Sequence, residues 1–238
     1  MVMQEIWTDD LSGEVMLMFQ KILNSFERRI GRYRGIRNLI SLIVAAMAAV
    51  YVADLFAPTV GFYLSSWLAF DRAAILRGQV WRLITFVVTP PNVSFVFIIF
   101  QLLFLHFTGD MLQNHWGTLR FNLFYLFGVV GSICAGMITG YATSYYINLS
   151  IFLAVAILYP NMEVNIYGIL PVKLKWLALL DVLFILPGLI QGGWGERLAI
   201  FESLLNVVLF FYDRFIRSIK DAKRRYEWKK NWRSGNWR

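Results

Sequence analysis

Six apolar segments constrain the fold of this chain more than any other feature of its sequence. They cover residues 38–56, 93–107, 121–138, 145–159, 177–190 and 198–212. A helix needs about 17 to 25 residues to cross the hydrocarbon core of a bilayer. The first and third segments reach that length alone, and the other four need flanking residues. The sequence therefore predicts an all-α polytopic membrane protein with six transmembrane helices.

The composition excludes an ordinary soluble domain. Charged residues make up 16% of the chain, whereas they make up about a quarter of a soluble protein. The net charge of +8 could attract nucleic acid, but the basic residues lie mainly outside the apolar segments, where they orient a membrane protein or contact anionic lipid. We therefore expect membrane lipids as partners and no specific nucleic acid. No zinc-ligand set, phosphate loop or nucleotide motif occurs, so we expect no metal and no cofactor.

The basic residues are distributed unevenly across the predicted membrane. Nineteen of the 23 Lys and Arg residues fall on one side, and only Arg72, Arg77, Arg82 and Arg197 fall on the other. The positive-inside rule then predicts that both termini are cytoplasmic. We expect a cytoplasmic segment over 1–37 with an amphipathic surface helix, a membrane domain over 38–212 and a basic cytoplasmic tail over 213–238. The expected location is the bacterial cytoplasmic membrane rather than the endoplasmic reticulum.

The loop between the first two segments, residues 57–92, is long and unusually apolar. Trp and Tyr rings favour the membrane interface, so we expect this loop to lie there. Its Trp81-Arg82 pair precedes an apolar run, and two interpretations of Arg82 remain open. The guanidinium donates hydrogen bonds to loop carbonyls and holds the loop together, or it extends along the apolar surface to reach lipid phosphates.

Two stretches resemble signatures of the rhomboid superfamily of intramembrane serine proteases. "GQVWRLIT" resembles the signature of the first loop, and "GDMLQNHWGTLRFNLFYLFG" resembles the end of the second span and its turn into the third. The positions that carry the resemblance are Gly78, Trp81, Arg82, Gly109, Gln113 and Gly117. The resemblance implies a six-transmembrane-helix, rhomboid-like bundle with a long interfacial first loop.

The residues that perform catalysis in active rhomboids do not occur at the matching positions. Those proteases carry Gly-x-Ser-Gly at the start of the fourth span and a histidine in the sixth. Here the family's serine falls near Tyr145, and Ser150, the best candidate nucleophile, has no flanking glycines. His106 and His115 both precede the third segment. A serine hydroxyl needs a general base at neutral pH, so we expect no catalytic residues.

The second segment differs from active rhomboids in the same way. Its positions for a histidine and an asparagine that help to stabilise the oxyanion hold Phe97 and Gln101. Gln113 replaces a family glutamate that holds a loop through hydrogen bonds, and an amide can keep part of that role. The resemblance therefore points to inactive members such as the Derlins and iRhoms, which bind transmembrane segments of other proteins and guide their folding, trafficking or removal.

Several small and polar residues suggest how the helices pack. Ser132, Gly136 and Gly140 form a row spaced for close helix approach, which predicts internal packing or, as the alternative, a face that forms an oligomer. Asn122, Asn148 and Asn206 are predicted to make hydrogen bonds between helices.

We therefore expect a catalytically inactive protein that binds transmembrane helices of client proteins. The fourth segment supports this, because 15 residues span about 22 Å as a helix. A helix that short leaves a recess or thins the local bilayer. Two alternatives remain: an atypical protease that uses Ser150, and a small transporter that uses Asp181 and Glu202, which lie within apolar segments.

The predicted topology can be tested by thiol labelling in intact cells. We expect Ser12→Cys and Ser234→Cys to be shielded from a membrane-impermeant reagent and Ser66→Cys to react, because the more positive segments stay in the cytoplasm. The unsubstituted chain, which contains Cys134, is the control. Labelling of Ser234→Cys from outside would contradict an even number of spans.

Overall fold

The fold is known from a computed structural model, which describes residues 35–166 and 170–233 together with Met18, Lys21 and Ser25. The predicted amphipathic helix over 19–37 lies almost entirely outside these residues. The described elements in chain order are helices α1 (Leu39–Leu55), α2 (Ala57–Val60), α3 (Leu64–Leu68), α4 (Arg72–Leu76) and α5 (Arg82–Thr85), a 3-10 turn (Phe86–Val88), helices α6 (Phe95–Trp116), α7 (Thr118–Thr139) and α8 (Ser144–Leu158), strands β1 (Glu163–Ile166) and β2 (Leu170–Lys173), and helices α9 (Leu174–Gln191) and α10 (Trp194–Arg233).

The described part of the chain is mostly helical, as the apolar segments predict. The first helix with its extension to Thr59, and helices α6, α7 and α9, are long and apolar enough to cross a membrane. Helix α8 is apolar but has only 15 residues. Helix α10 contains the sixth segment and continues without a break through the predicted boundary at residue 212. Residues from Val208 onward belong to a second compact unit.

The second apolar segment forms a longer helix than its hydropathy predicts. Helix α6 continues nine residues past 107 and ends at Trp116, so His115 lies in its last turn and not in a loop. The Asn114 side-chain amide donates to the Asp110 carboxylate at 3.0 Å, a pair four residues apart of the kind that supports a helix surface. Polar residues can therefore extend the helix beyond its apolar part.

A short antiparallel hairpin is the one departure from an all-helical fold in the described residues. Strands β1 and β2 pair Glu163 with Lys173 and Val164 with Val172. The sequence of β1 alternates polar and apolar residues, which is the period of a strand. An exposed ion pair of 4.0 Å between Glu163 and Lys173 closes the hairpin. Four residues are too few for this pattern to be distinguished from a polar loop in the sequence alone.

Helix α8 lies at the centre of the bundle. Eleven of its 15 residues are buried, and it packs against α6, α7 and α9. Helix α9 is the opposite case, because only 11% of its apolar window is buried. It packs mainly against α8 and β2, so most of its apolar side chains remain exposed to lipid or to another protein.

The motif glycines are explained by close approach and by backbone conformation. A Cβ atom at Gly109 would collide with the side chain of Ile40, so this glycine lets α1 and α6 pack closely. Gly78 and Gly117 have φ angles of 103° and 82°, which L side chains rarely adopt. The Gln113 side-chain oxygen is buried and has no partner among the described residues, so this atom does not hold a loop through a described hydrogen bond.

The long first loop is built from short helices, and charged side chains bind both ends of α3. The Asp54 carboxylate accepts from the backbone amides of Leu64 and Ser65 at 2.6 and 3.2 Å. At the other end, Arg82 Nη1 donates to the carbonyl of Ser66 at 2.9 Å and to that of Ala69 at 2.7 Å. The last carbonyls of a helix have no partner within the helix, so Arg82 supplies what α3 lacks.

Arg82 is therefore the organiser of the loop, and the alternative that it reaches lipid phosphate is wrong. The residue is only 8% exposed, and its Nε also donates to the Gln79 side chain at 2.7 Å. Thr85 donates to the Leu68 carbonyl at 2.9 Å beside it. Trp81 stacks on Trp67 with ring centroids 5.2 Å apart, so both members of the Trp-Arg pair bind the same short helix.

The other three arginines on the less basic side also donate to carbonyls at or near helix carboxyl ends. Arg72 Nη1 donates to the carbonyls of Met137 and Ile138 at 3.2 and 3.1 Å, near the end of α7. Arg77 donates to Ala73 in α4, and Arg197 donates to Ile190 at the end of α9. Cations are favourable there because the carboxyl end of a helix carries partial negative charge. Each of these four arginines therefore has a local structural role.

We expect Arg82→Ala to lower the free energy of unfolding by several kcal/mol, because each hydrogen bond from a charged group contributes about 1.5 to 3 kcal/mol. Thermal unfolding in detergent measures this change. Arg82→Lys should not restore it, since an ammonium group cannot also replace the Nε bond to Gln79. Arg77→Ala, which removes an exposed bond within one helix, is the control and should change stability by less than about 0.5 kcal/mol. An Arg82→Lys protein as stable as wild type would contradict this role.

Candidate functional site

A groove lies between α6, α8 and α9 in the described residues. It has a volume of about 260 Å³. Its lining residues recur at helical spacing, so each helix presents one stripe to the groove. The lining residues are Phe100, Gln101, Phe104, Leu105 and Thr108 of α6, Tyr145, Asn148, Leu149 and Phe152 of α8, Leu177, Leu180 and Asp181 of α9, and Val164 of β1.

A second cavity of about 190 Å³ lies under the first loop, next to the amino-terminal end of α8. Three polar residues, Gln101, Tyr145 and Asn148, line both cavities, so they form a shared wall. The Ser144 hydroxyl donates to the carbonyl of Thr89 at 3.2 Å and thereby joins the end of the first loop to α8. The position of the wall thus depends on the loop that Arg82 organises.

The polar groups of the groove are rich in hydrogen-bond acceptors. The Tyr145 hydroxyl lies beside the Asp181 carboxyl, close enough for the two groups to interact. The Asn148 side-chain oxygen is buried and has no partner among the described residues. Thr108 donates to the carbonyl of Phe104 within its own helix. None of the groove's lining residues is Lys, Arg or His.

Of the four positions predicted to correspond to a degenerate active site, two meet at this wall. Gln101 and Tyr145 both line the two cavities. Phe97 is 56% exposed and is not among the lining residues of either cavity. Ser150 is 1% exposed and faces the core instead, where it donates to the Ile147 carbonyl at 2.7 Å and accepts from the Asn206 side chain at 3.5 Å.

The histidines have other partners. His106 Nδ1 lies 3.4 Å from the Ser41 hydroxyl, and His115 Nδ1 lies 2.9 Å from the Tyr159 hydroxyl. These two are the only histidines in the sequence. The hydrogen bonds of Ser150 go to α8 and α10, so the arrangement gives Ser150 no imidazole base.

The two acids predicted for transport occupy different contacts. Asp181 faces the groove beside Tyr145, whereas Glu202 of α10 accepts from the Ser132 hydroxyl at 3.1 Å and packs over Gly131. Glu202 does not line the groove. The described contacts therefore place one acid at the groove and the other between α7 and α10.

The predicted row of small residues on α7 packs within the chain over only part of its length. Ser132 and Gly136 are buried, and a Cβ atom at Gly136 would lie 2.8 Å from Phe70 and Ala142. Gly140, the third member of the row, does not pack against the described residues. Gly140 ends α7 with a φ of 92° and has no atom within 4 Å of a Cβ position, because the chain turns there.

The three predicted asparagines have three different roles. Asn206 joins helices as predicted, since it donates to the Phe124 carbonyl at 3.3 Å and approaches Ser150. Asn122 donates instead to the Ile36 carbonyl before α1. Asn148 contributes to the wall of the groove. Asn148 follows Tyr145 by three positions and Thr108 follows Gln101 by seven, and both spacings place the two residues on one face of a helix. These spacings are the sequence signal that could have located the groove.

No group of three or more His, Cys, Asp or Glu side chains that could hold a metal ion occurs among the described residues. The groove offers apolar walls and a few hydrogen-bonding groups, which suit the side chains of another molecule. Neither a known family model nor any curated protein matches this chain.

We expect Ser150→Ala to have little effect on chemistry or stability. Both wild type and Ser150→Ala should remain unlabelled by a serine-directed fluorophosphonate, because no imidazole lies beside the hydroxyl. Loss of this hydroxyl should lower the free energy of unfolding by about 1 kcal/mol, the usual contribution of a neutral hydrogen bond. Labelling of wild type that disappears in Ser150→Ala would contradict this expectation.

Proposed function

We propose that this protein is a catalytically inactive, rhomboid-like membrane protein that binds transmembrane helices of client proteins in the groove between α6, α8 and α9. In this proposal α8 and the apolar part of α10 add two spans to the four long apolar helices, which gives six. The motifs around Arg82 and Gly109 support the rhomboid-like interpretation.

The groove is the observation that carries this proposal. Its walls are mostly apolar, and its volume of about 260 Å³ suits one or two side chains rather than a whole helix. A partner helix would therefore lie along the exposed surfaces of α6 and α9 and insert side chains between them. In lipid, helices associate through close packing and hydrogen bonds, and the groove provides both.

The short central helix supports binding of clients that are only marginally stable in lipid. Helix α8 has 15 residues, or about 22 Å, which is less than the ~30 Å hydrocarbon core. A helix of that length thins the bilayer or leaves a recess near its end. Both effects lower the cost of a polar or irregular client segment beside the groove, which suits a role in folding, trafficking or removal.

The proposed location is the bacterial cytoplasmic membrane with both termini in the cytoplasm. The distribution of basic residues supports this orientation. The four arginines on the other side do not argue against this orientation, because each donates to a backbone carbonyl at or near a helix end. Their presence there has a structural reason that is independent of orientation.

A protease that uses Ser150 is a weaker explanation of the same geometry. The groove wall holds Tyr145 where the family's serine falls, and Ser150 is buried away from the groove. Transport has no supporting contact either, since Asp181 and Glu202 belong to different clusters. Helix binding requires neither a nucleophile nor a continuous polar path.

Site-specific photo-crosslinking in native membranes tests the proposed function. A photoreactive amino acid at Phe104, which lines the groove, should crosslink to transmembrane segments of other proteins, identified by mass spectrometry of the joined peptides. The same amino acid at Leu103, which faces away on α6, is the matched control. Equal crosslinking from both positions, or adducts only to lipid, would contradict a helix-binding groove.

A further inference from the structure

The groove contains unmatched hydrogen-bond acceptors in an otherwise apolar surrounding. Asp181 contributes a carboxyl group that lies beside the Tyr145 hydroxyl, and Asn148 contributes a buried oxygen without a partner among the described residues. Polar groups inside a membrane are costly unless they pair. The lining residues include no basic side chain, so the described residues of the groove do not provide the complementary cationic donor.

The position of Asp181 along α9 indicates how a donor could reach it. Asp181 is the eighth residue of an 18-residue helix, which places it about 10 Å from the start of α9 at 1.5 Å per residue. That depth lies within the hydrocarbon core if α9 crosses the membrane. A lipid amine stays at headgroup level, whereas a side chain on a membrane-spanning helix can be presented at this depth.

We infer that the groove recognises client helices that carry a single Lys or Arg about one third of the way across the membrane from the end where α9 begins. This inference rests on the proposed helix-binding function. The basic head group would pair with Asp181 and donate to Asn148. Its aliphatic stem would pack on the apolar groove walls, as long basic side chains do at apolar surfaces.

The surrounding rings fit such a side chain. Phe104 and Phe152 pack against each other with ring centroids 5.3 Å apart and together give the groove an aromatic surface, and Leu177 and Leu180 line the α9 wall. A methylene stem fills the apolar space, and only its charged end needs a polar partner. A purely apolar client would fill the same space and leave Asp181 without a new donor, so it should bind less tightly.

The test uses synthetic single-span helices in vesicles of phosphatidylcholine, with association to the full-length protein measured by energy transfer. Three Leu- and Ala-rich peptides of equal length carry Lys, Met or Asp at the position that faces Asp181. Met is the matched control because it resembles the Lys stem without the charge. We expect the Lys peptide to bind about tenfold more tightly than the Met peptide, and the Asp peptide to bind more weakly than both.

Variants of the protein then assign the preference to one side chain. Asp181→Asn should remove most of the preference for Lys, measured as the ratio of the Lys-peptide affinity to the Met-peptide affinity. Thermal unfolding in detergent shows separately that this variant is folded. Glu202→Gln, an acid outside the groove, should preserve the preference and serves as the control.

The possible results separate this inference from the function on which it rests. Equal binding of the Lys, Met and Asp peptides to wild type would overturn the inference and leave helix binding intact. Failure of all three peptides to bind would overturn the proposed function as well. A Lys preference that persists in Asp181→Asn would place the recognition elsewhere and contradict the inference. Retention of labelled phosphatidylethanolamine by wild type but not by Asp181→Asn, without peptide binding, would show that lipid is the occupant.

Discussion

The buried guanidinium of Arg82 is the interaction on which the site depends. Short helices in the first loop cannot bond their own terminal carbonyls, and Arg82 donates to those of Ser66 and Ala69. The loop that it stabilises reaches Thr89, whose carbonyl binds Ser144 at the start of α8. Through that contact the loop fixes the end of the helix that carries Tyr145 and Asn148. One arginine in the loop therefore helps to position the polar wall of the groove.

The groove combines two properties that conflict in a simple membrane protein. Its walls are apolar, which suits lipid, yet it holds a carboxyl group and an amide oxygen that lipid tails cannot satisfy. A protein that only needed stability would replace Asp181 with an apolar residue. Retaining such groups at a surface between loosely packed helices is expected where another molecule provides the donors. The low burial of α9 leaves room for that molecule.

The sequence predicted the mostly helical fold and the role of Arg82, but only part of the site. Long apolar runs and a charge beside Trp81 are strong local signals, because exposure of an apolar run to water and burial of an unpaired charge are both costly. The hairpin at Glu163 and the continuation of α6 past residue 107 depend on weak signals spread over a few residues. The groove depends on how three helices rotate against each other, so it needed tertiary structure. The sequence indicated Gln101 and Tyr145 as positions that match the active site of rhomboid proteases. It did not predict that they form a shared wall with Asn148.

Occupancy of the groove can be measured most directly with nitroxide labels in vesicles. With Cys134 replaced by alanine, labels at two neighbouring positions of α9 report collisions with dissolved oxygen at nearly the same depth. Leu180→Cys lies in the groove, whereas Leu179→Cys is rotated by about 100° around the helix and does not line the groove. Addition of the Lys-bearing helix should lower the collision rate at position 180 and leave the rate at position 179 unchanged. An equal decrease at both positions, or no decrease at position 180, would contradict a helix-binding groove.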